Sequence, residues 1–536
     1  MRASRVGLGY KCWLITPPEL SRGSVFCWLG ESAKTKTATM SSAPLKGIPE
    51  TFAGADVFIT GGSGFMGKVL IEKLIRSCPD IGQVFVLLRP RRGKSPEERI
   101  EALVKVPLFD KVRELVPDNI RKIVPISGDC SQLKLGLDEE SLKRMENVQF
   151  VFHAAASVRF DDPLEKAILL NTRGTREVIM WAKTLKSLKA MVHISTTYSN
   201  PEIFEIEERI YPAKMDWRKA IELAETLDPE VLETFSLKLS GFAPNTYTFT
   251  KGLAEHICND YHKEIPLVIF RPSVVTGTEA EPFPGWIDNF NGPVGLLMGC
   301  GTGVLRTGKL KMENKINCIP ADVSINAILI AAWKRAHEPE GQLTIYNSAA
   351  EKHKTADYTF LTTEGHDIYM RMPVSQVFCA PGGHNAINTY SYYLLFFLYQ
   401  LLPSVCADLA LKLSGRKPFL LKLQRKIFNA QICLKHFTDN EWVFQTDNFR
   451  NLAKDLHETD RETFNISYLR KGTYDYYEGC ILGARRYLMK EPDSTIPSAT
   501  RNMNRLVIIY RTMQAAFFGF ILYIINQKIS DWTVTN

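Results

Sequence analysis

The sequence predicts an α/β protein in which a doubly wound parallel sheet is followed by a carboxy-terminal helical domain. Short apolar strands alternate with helical segments from about residue 57 to residue 347, which predicts parallel strands joined by helical crossovers. A glycine-rich turn at residues 60–67 joins the first strand to the first helix. After residue 390 the composition shifts, and apolar segments at 390–411 and 506–525 predict that the helical domain is membrane-associated.

The same changes of pattern set the predicted domain boundaries within the 536 residues. We interpret residues 1–50 as an irregular leader, either a targeting extension or a segment with which the protein can dispense. Residues 51–350 are predicted to form the sheet domain with substrate-binding insertions, 351–390 a linker and 391–536 the helical domain. The sequence does not predict an oligomeric state.

Composition argues against several classes of site and partner. The formal net charge of +8 is mild for this length and suits an anionic membrane surface or acidic substrates. No basic run is interleaved with aromatic residues, so nucleic acid is not a predicted partner. The eleven cysteines are scattered without a Cys-x-x-Cys pair, so neither a disulfide framework nor a metal site is expected.

The glycine-rich turn has the spacing of a dinucleotide-binding loop. It follows an apolar strand that begins at Val57, and it opens into a helix. Gly61 permits the tight turn, Gly64 lets the backbone approach a pyrophosphate, and Gly67 allows the helix to pack closely on the strand. The amide groups and the positive end of that helix favour phosphate. A plain structural turn is the alternative, and the strand–turn–helix context favours the nucleotide.

The second strand, residues 83–89, ends in a basic sequence. An acidic side chain at this point would meet the adenosine ribose of NADH, whereas Arg89 and Arg92 suit the 2′-phosphate of NADPH. A solvated basic loop is the alternative. We therefore predict a nicotinamide cofactor, with NADPH preferred.

Residues at the ends of later strands extend the predicted cofactor site. Asp129 follows the third strand, where it could meet the adenine amine or cap a turn. Small residues, including Ala154, end the fourth strand and leave room for a cofactor across the strand tips. Asn171 lies on a helix that faces the sheet, whereas His153 is predicted to be a packed structural residue.

Tyr247 and Lys251 are four residues apart on one face of a predicted helix. A phenol titrates at about pH 10, and a nearby ammonium is expected to lower that pKa. The phenol could then give a proton to a carbonyl oxygen as hydride arrives. The fifth strand ends in hydroxyl residues, of which Thr196 is predicted to hold the same oxygen, with Ser195 and Thr197 as competitors.

Two irregular regions and two apolar segments are assigned to substrate and membrane. The polar insertion 201–246 is long enough to carry function, and residues 277–303 could wall a long apolar substrate. The first apolar run is expected to end at Pro403, and the second contains Arg511, so neither is a clean membrane span. Membrane attachment is favoured over a buried helical hairpin, and both spanning and surface-lying arrangements stay open.

With these motifs described, the first part of the chain resembles an extended short-chain dehydrogenase/reductase. From about residue 50 to the end, the chain resembles more narrowly the fatty acyl-CoA reductases. The matching segments are Thr60–Gly67, His193–Thr196, Tyr247 with Lys251, Arg271–Ser273, Glu281–Pro293 and, near the carboxyl terminus, Trp442, Phe444, Tyr474, Tyr477 and Arg486–Leu488. Thr197, where a small residue such as Ala is usual, and the leader depart from the family pattern.

The resemblance implies a Rossmann sheet and a four-electron reduction of a long-chain acyl-CoA to a primary alcohol, with release of coenzyme A and use of two NADPH. It implies attachment to peroxisomal or endoplasmic reticulum membranes with the catalytic domain facing the cytosol. The predicted catalytic residues are Thr196, Tyr247 and Lys251. The predicted cofactor-binding residues are Thr60, Gly61, Gly64, Phe65, Met66, Gly67, Arg89, Arg92, Asp129, Ala154, Asn171, Tyr247, Lys251, Pro272 and Val274.

Two rival hypotheses stand beside this one. An extended short-chain reductase acting on a sterol or a sugar nucleotide would share Tyr247 and Lys251, but would give no role to residues 390–525. A non-catalytic membrane scaffold would have no reason to keep that pair of side chains.

Overall fold

The computed structural model describes residues 45–89, 93–338 and 341–535. Seven parallel strands form the central sheet: Asp56–Thr60 (β1), Val84–Leu88 (β2), Ile123–Ser127 (β3), Val148–His153 (β4), Ala190–Ile194 (β5), Leu267–Pro272 (β6) and Thr344–Ser348 (β7). Their order across the sheet is β7-β6-β5-β4-β1-β2-β3. The predicted doubly wound parallel α/β fold is therefore confirmed.

Helices connect and cover these strands. As far as β7 they are Ile48–Phe52 (α1), Phe65–Ser77 (α2), Pro96–Val104 (α3), Asp110–Leu115 (α4), Glu139–Arg144 (α5), Leu164–Ala167 (α6), Gly174–Ala182 (α7), Trp217–Thr226 (α8), Pro229–Thr234 (α9), Ser236–Leu239 (α10), Thr246–Tyr261 (α11), Gly292–Gly301 (α12) and Ala321–His337 (α13). Beyond β7 they are Tyr358–Arg371 (α14), Thr389–Phe396 (α15), Leu402–Leu413 (α16), Leu420–Asp439 (α17), Asp447–Asn451 (α18), Glu458–Thr463 (α19), Thr473–Gly483 (α20) and Ile496–Thr535 (α21).

Both faces of the sheet are buried, as parallel strands joined by helices require. Successive residues of a strand point to opposite faces. Val57 and Ile59 of β1 therefore pack in a core with α2 and α13, whereas Phe58 packs in a second core with α7 and α11. The chain reverses its direction of winding between β1 and β4, and this switch point is where ligands bind in such sheets.

The predicted leader extends too far into the fold. Helix α1 begins at Ile48, which is completely buried, and the ring of Phe52 packs 4.3 Å from that of Phe150. The indole Nε1 of Trp333 donates a hydrogen bond of 2.7 Å to the carbonyl of Lys46. The core therefore begins before residue 51. The sequence pattern does not reveal α1, because a single helical turn is too short for its apolar periodicity to be recognised. The rest of the leader, residues 1–44, lies outside the described residues.

Residues 351–390, predicted as a linker, instead contain packed structure. Leu361, Ile368 and Tyr369 of α14 are buried in a core with α12 and α20. Residues 46–536 form one compact unit, so the chain does not divide at this segment. The apolar stripe of α14 is narrow and lies among polar residues, which is why its pattern looked weak.

The two apolar segments form long helices. α15 and α16 are joined by a π-helical turn at Phe397–Leu401, so a single helix runs through Pro403 instead of ending there. The π-helical turn is wider than an α-helical turn. It therefore tolerates a proline, which has no backbone N–H to donate and whose ring would clash with the preceding turn. Within the described residues, Thr389–Leu413 and Asp493–Gln527 are long and apolar enough to cross a membrane, with mean hydropathies of 1.8 and 1.6.

Replacing Ile48 with Ala is expected to destabilise the protein by about 2–5 kcal/mol, because buried methylenes are removed and a cavity is left beneath α1. The matched control is Leu115→Ala, whose side chain is 62% exposed and whose loss should change the free energy of unfolding by less than about 0.5 kcal/mol. Thermal or urea unfolding of the purified full chain measures both. An equally small effect at both positions would contradict the placement of α1 in the core.

Candidate active site

The glycine-rich turn at the carboxyl end of β1 is shaped by close backbone contacts. Gly61 has a φ of +75°, and a Cβ there would lie 2.6 Å from the amide nitrogen of Ala155. A Cβ on Gly67 would overlap the carbonyl of Gly61, so the helix could not pack as it does. Gly64 is exposed, and among the described residues, its chain neighbours aside, only Gly61 lies within 4 Å of a Cβ placed on it, so its open face is free for a ligand.

The start of α2 suits an anion. Its N-cap residue, Gly64, provides no side-chain hydrogen bond, and the first amides of a helix have no intrahelical acceptor. Phe65 and Met66 are half-buried in this first turn, with the Phe65 ring stacked on Trp286 at 5.3 Å. The turn and helix therefore fit the pyrophosphate of a dinucleotide.

Thr60 and His153 hold β1 to β4 beneath the turn. The Thr60 hydroxyl lies 2.7 Å from Nδ1 of His153, whose Nε2 lies 3.0 Å from the Thr175 hydroxyl. Burial and, to a smaller extent, the charge of Lys251 lower the pKa of His153 to about 3. His153 is therefore a neutral packed residue, as predicted, and the Thr60 side chain faces the protein interior. Ala154 adds a backbone hydrogen bond of 3.2 Å to the Thr60 carbonyl.

The residues predicted at the adenosine end lie at the expected strand ends. Arg89 immediately follows β2 and is exposed, whereas Arg92 lies outside the described residues. Asp129 follows β3, and its Oδ1 accepts hydrogen bonds of 2.9 Å from both the amide and the hydroxyl of Ser131. Asp129 thus caps a turn in this structure, and a contact with adenine stays a prediction.

Three further residues were predicted to bind the cofactor: Asn171, Pro272 and Val274. The buried Asn171 side chain accepts a hydrogen bond of 2.8 Å from the Ser157 amide and donates one of 3.0 Å to the Thr250 hydroxyl. It therefore joins the loop after β4 to α11. Pro272 ends β6 and is buried, and the half-buried Val274 follows two residues later.

Tyr247 and Lys251 converge on the end of β5. α11 begins just before Tyr247, and the Asn245 side chain caps it by accepting a hydrogen bond of 2.8 Å from the Thr248 amide. The Lys251 ammonium donates a hydrogen bond of 2.6 Å to the carbonyl of Ile194, the last residue of β5. The hydroxyl of Thr196, two residues further along the chain, is close enough to the Tyr247 phenol to favour a lower pKa there.

The three hydroxyl residues after β5 have different surroundings. Ser195 donates a hydrogen bond of 2.6 Å to Glu255, so its hydroxyl is already engaged. The Thr197 hydroxyl is buried, and no hydrogen-bond partner for it is found among the described residues. Of the three, Thr196 is therefore the residue that the structure brings to Tyr247.

The expected lowering of the Tyr247 pKa by the Lys251 ammonium is not found. Burial raises the pKa of Tyr247 to about 12, and the nearby Thr196 hydroxyl opposes that rise only in part. Burial likewise lowers the pKa of Lys251 to about 8. The prediction of a lowered phenol pKa is wrong for this structure, because the apolar surroundings disfavour both charged forms. Tyr247 is therefore a protonated hydrogen-bond donor.

A buried ion pair beneath these residues was missed in the sequence. The Arg271 guanidinium donates hydrogen bonds of 2.8 and 2.6 Å to the two carboxylate oxygens of Glu255, and both side chains are buried. Arg271 also donates to the carbonyls of Glu207 and Arg209, at 3.1 and 2.9 Å. The position of Glu255, four residues after Lys251 on the same helical face, was the available signal.

Aromatic residues from distant parts of the chain cover Tyr247. Phe160 stacks on the Tyr247 ring at 6.0 Å, and Phe437 at the end of α17 packs on Phe160 at 5.5 Å. Tyr198 contacts Phe437 and Trp442 edge-on, both at 5.5 Å. We call Phe160, Tyr198, Phe437 and Trp442 the aromatic cover. The sequence identified neither Phe160 nor Phe437, because their contact joins segments far apart in the chain.

The segment 277–303, predicted to wall the substrate, contacts α2 through its first part, whereas α12 packs in a core with α14 and α20. Besides the Trp286 stack, Asp288 pairs with Lys68, and Glu281 pairs with Lys73. Its first part thus supports the helix that follows the glycine-rich turn. The described part of the chain contains no group of three or more His, Cys, Asp or Glu side chains that could hold a metal ion.

The sheet and its additions are similar in fold to reductase domains of peptide synthetases. The terminal R domain of the myxalamid biosynthetic pathway aligns with a TM-score of 0.54 at 19% identity, over 84% of this chain and 94% of that one. The R domain of a non-ribosomal peptide synthetase from Mycobacterium tuberculosis aligns with a TM-score of 0.52 at 15% identity, over 82% and 95% of the chains. At these identities the similarity concerns the fold alone.

Sequence comparisons give the family. Profiles described as "Male sterility protein" match residues 59–328 and 399–491. The chain is 36% identical to fatty acyl-CoA reductase 1 of Homo sapiens over 462 residues, which cover 86% of this chain and 89% of that protein. It is 36% identical to fatty acyl-CoA reductase wat of Drosophila melanogaster over 464 residues, covering 86% and 90%. The chain therefore belongs to the fatty acyl-CoA reductase family.

Proposed function

We propose that this protein reduces long-chain acyl-CoA to the primary alcohol, with oxidation of two NADPH and release of coenzyme A. The observation that carries the proposal is the convergence of Tyr247, Thr196 and Lys251 just beyond the end of β5. Tyr247 and Thr196 lie on the edge of the sheet that also carries the glycine-rich turn, and beneath the aromatic cover. The names of the relatives and the match along most of the chain support the same substrate class.

The reduced nicotinamide, when bound, supplies hydride to the carbonyl carbon. Tyr247 and Thr196 donate hydrogen bonds to the carbonyl oxygen and stabilise the negative charge that develops on it. Because the pKa of Tyr247 is raised to about 12, the phenol holds its proton until that charge appears. Collapse of the hemithioacetal breaks the carbon–sulfur bond and releases the thiol of coenzyme A. The same two hydroxyl groups then hold the aldehyde oxygen for the second reduction.

Lys251 and the aromatic cover have supporting roles. The Lys251 ammonium, fixed on the carbonyl of Ile194, provides positive charge at the end of β5. The aromatic cover excludes water from the aldehyde and offers an apolar surface for the acyl chain. No cysteine nucleophile is needed, because hydride displaces the thiolate.

We also propose NADPH as the cofactor and membrane attachment as the setting. Arg89 at the end of β2 supports recognition of a 2′-phosphate. The helices Thr389–Leu413 and Asp493–Gln527 support attachment to a membrane. The resemblance to the family continues to predict a peroxisomal or endoplasmic reticulum membrane, with the catalytic region facing the cytosol.

Tyr247→Phe is expected to lower kcat by about 10²–10⁴-fold, because the proton donor is removed while the ring is kept. Tyr261→Phe, on the same helix, is the matched control and should keep full activity. Purified full-length protein is assayed with palmitoyl-CoA, and NADPH oxidation and hexadecanol release are followed together. Unchanged activity in the Tyr247 variant would contradict the mechanism, and reduction of a hydroxysteroid's ketone in place of palmitoyl-CoA would contradict the substrate class.

Arg89→Ala is expected to raise the KM for NADPH by about 10–100-fold, because a hydrogen bond to a charged group contributes about 1.5–3 kcal/mol. The KM for NADH should change little, so the second cofactor is the internal control. Initial rates with both cofactors measure the difference. A wild-type protein that uses NADH and NADPH equally well would overturn the assignment.

Glu255→Gln is expected to destabilise the protein by about 3–5 kcal/mol, because it leaves the buried Arg271 guanidinium without its counter-charge. The matched control is Glu101→Gln, which breaks an exposed pair with Lys105 at 2.7 Å and should change stability by less than about 1 kcal/mol. Urea unfolding measures both. Similar effects in the two variants would show that the buried pair does not hold α11 in place.

A further inference from the structure

The helix Thr389–Leu413 has the opposite polarity to a surface helix of a soluble protein, because polar side chains on it are buried and large apolar side chains are exposed. Its polar residues Gln400, Ser404 and Asp408 are buried at a spacing of four. Its large apolar residues face outward, with exposed fractions of 43–59%: Leu394, Phe397, Leu398, Leu402, Val405 and Leu409. Monomeric soluble proteins rarely expose so continuous an apolar stripe.

Gln400 fastens the polar face to the body of the protein. Its side-chain oxygen accepts hydrogen bonds from the amides of Arg306 and Thr307, at 2.9 and 2.6 Å. Its side-chain nitrogen donates a hydrogen bond of 2.8 Å to Gln424 of α17. A bilayer-spanning position would carry these groups and the irregular backbone at Arg306 into the hydrocarbon, which is unfavourable.

Asp408 fixes the turn between α16 and α17. Its carboxylate accepts hydrogen bonds of 2.9 Å from the amides of Phe419, Leu420 and Leu421, and so caps that helix. Residues 389–439 thus form a hairpin with a fixed geometry, which we call the outer hairpin. The outward face of its first helix is apolar, and the inward face of that helix is hydrogen-bonded to the rest of the protein.

The turn of the outer hairpin is strongly basic. Between residues 389 and 426 the only acidic residue is the buried Asp408. Six exposed cations follow the apolar stripe: Lys412, Arg416, Lys417, Lys422, Arg425 and Lys426. None of them makes an ion pair with any residue that the structure describes. Each such charge near an anionic leaflet contributes about 1 kcal/mol of attraction.

The outer hairpin is also joined to the second apolar helix. The guanidinium of Arg306 donates a hydrogen bond of 2.9 Å to the hydroxyl of Tyr510 on α21, and it lies 4.8 Å from the centre of that ring. The amide of the same residue is held by Gln400. Arg306 therefore couples the two helices that, within the described part of the chain, are long and apolar enough to cross a membrane.

We propose that the outer hairpin lies in the plane of one leaflet of an anionic bilayer, with its apolar stripe among the acyl chains and its basic turn at the phosphate groups. This inference rests on the membrane attachment proposed above, and it adds which surface touches lipid and that Thr389–Leu413 does not cross. A leaflet is the occupant because the apolar stripe and the unpaired cations adjoin each other, as an interfacial helix requires.

The test places cysteines at both ends of the helix, as Ile387→Cys and Ser414→Cys, in the full chain reconstituted into sealed vesicles. Ile387 is 93% exposed, and Ser414 is also exposed. The vesicles contain phosphatidylcholine with and without phosphatidylserine. A membrane-impermeant maleimide is added outside, and labelling is located by peptide mass spectrometry. Vesicle flotation reports membrane attachment, and palmitoyl-CoA reduction in detergent reports the enzyme.

With phosphatidylserine, both introduced cysteines should react from the outside, while the natural Cys406, exposed on the apolar side of the helix, should react about tenfold more slowly than in Leu398→Glu, because the reagent does not enter hydrocarbon. Leu237→Glu, at a 65% exposed leucine elsewhere, is the matched control and should leave Cys406 protected.

Three results would overturn the inference. If only one end reacts until detergent is added, the helix crosses the bilayer. If Cys406 reacts freely while the protein still floats, the outer hairpin does not touch lipid, although the membrane attachment stands. If Cys406 residues of two chains can be cross-linked in the vesicles, a second copy of the chain covers the face. Loss of flotation together with retained reductase activity would instead reject the attachment itself.

Discussion

The ion pair between Arg271 and Glu255 is the constraint on which the candidate site depends. The ion pair joins β6 to α11. The hydroxyl of Ser195 donates a hydrogen bond to the same Glu255 carboxylate, so the segment just after β5 is held there as well. Two buried charges are stable only when their hydrogen bonds are complete, so these three elements keep one arrangement. Tyr247 and Lys251 stand about two turns and one turn before Glu255 on α11. The pair therefore decides where both side chains meet the end of β5.

The same burial that makes the ion pair necessary sets the state of the reacting groups. A raised pKa at Tyr247 and a lowered one at Lys251 have a common cause, which is the exclusion of water from the end of β5. A protonated phenol is the form needed to meet a developing oxyanion. The site thus needs no lowered pKa at Tyr247, and the sequence-based expectation of an acidified phenol is replaced by a phenol that stays protonated.

Local signals in the sequence predict the parts of the site that lie within short segments. The glycine-rich turn, the end of β5 and the spacing of Tyr247 and Lys251 are of this kind, because strand–turn–helix geometry fixes them over a few residues. The roles of Glu255 and Phe437 could not be predicted in this way. Glu255 depends on Arg271, and Phe437 depends on Phe160, and in each case only the fold brings the two residues together. The same limit explains α1, whose single turn is too short to show a period.

The helix α17 connects the two surfaces that the substrate would have to meet. It begins at the Asp408 cap of the outer hairpin and ends just beyond Phe437 in the aromatic cover. Its twenty residues span about 30 Å at about 1.5 Å per residue. If the outer hairpin rests on a leaflet, then one rigid element sets the distance between lipid and Tyr247. An acyl chain leaving that leaflet would then follow a fixed wall as far as the aromatic cover.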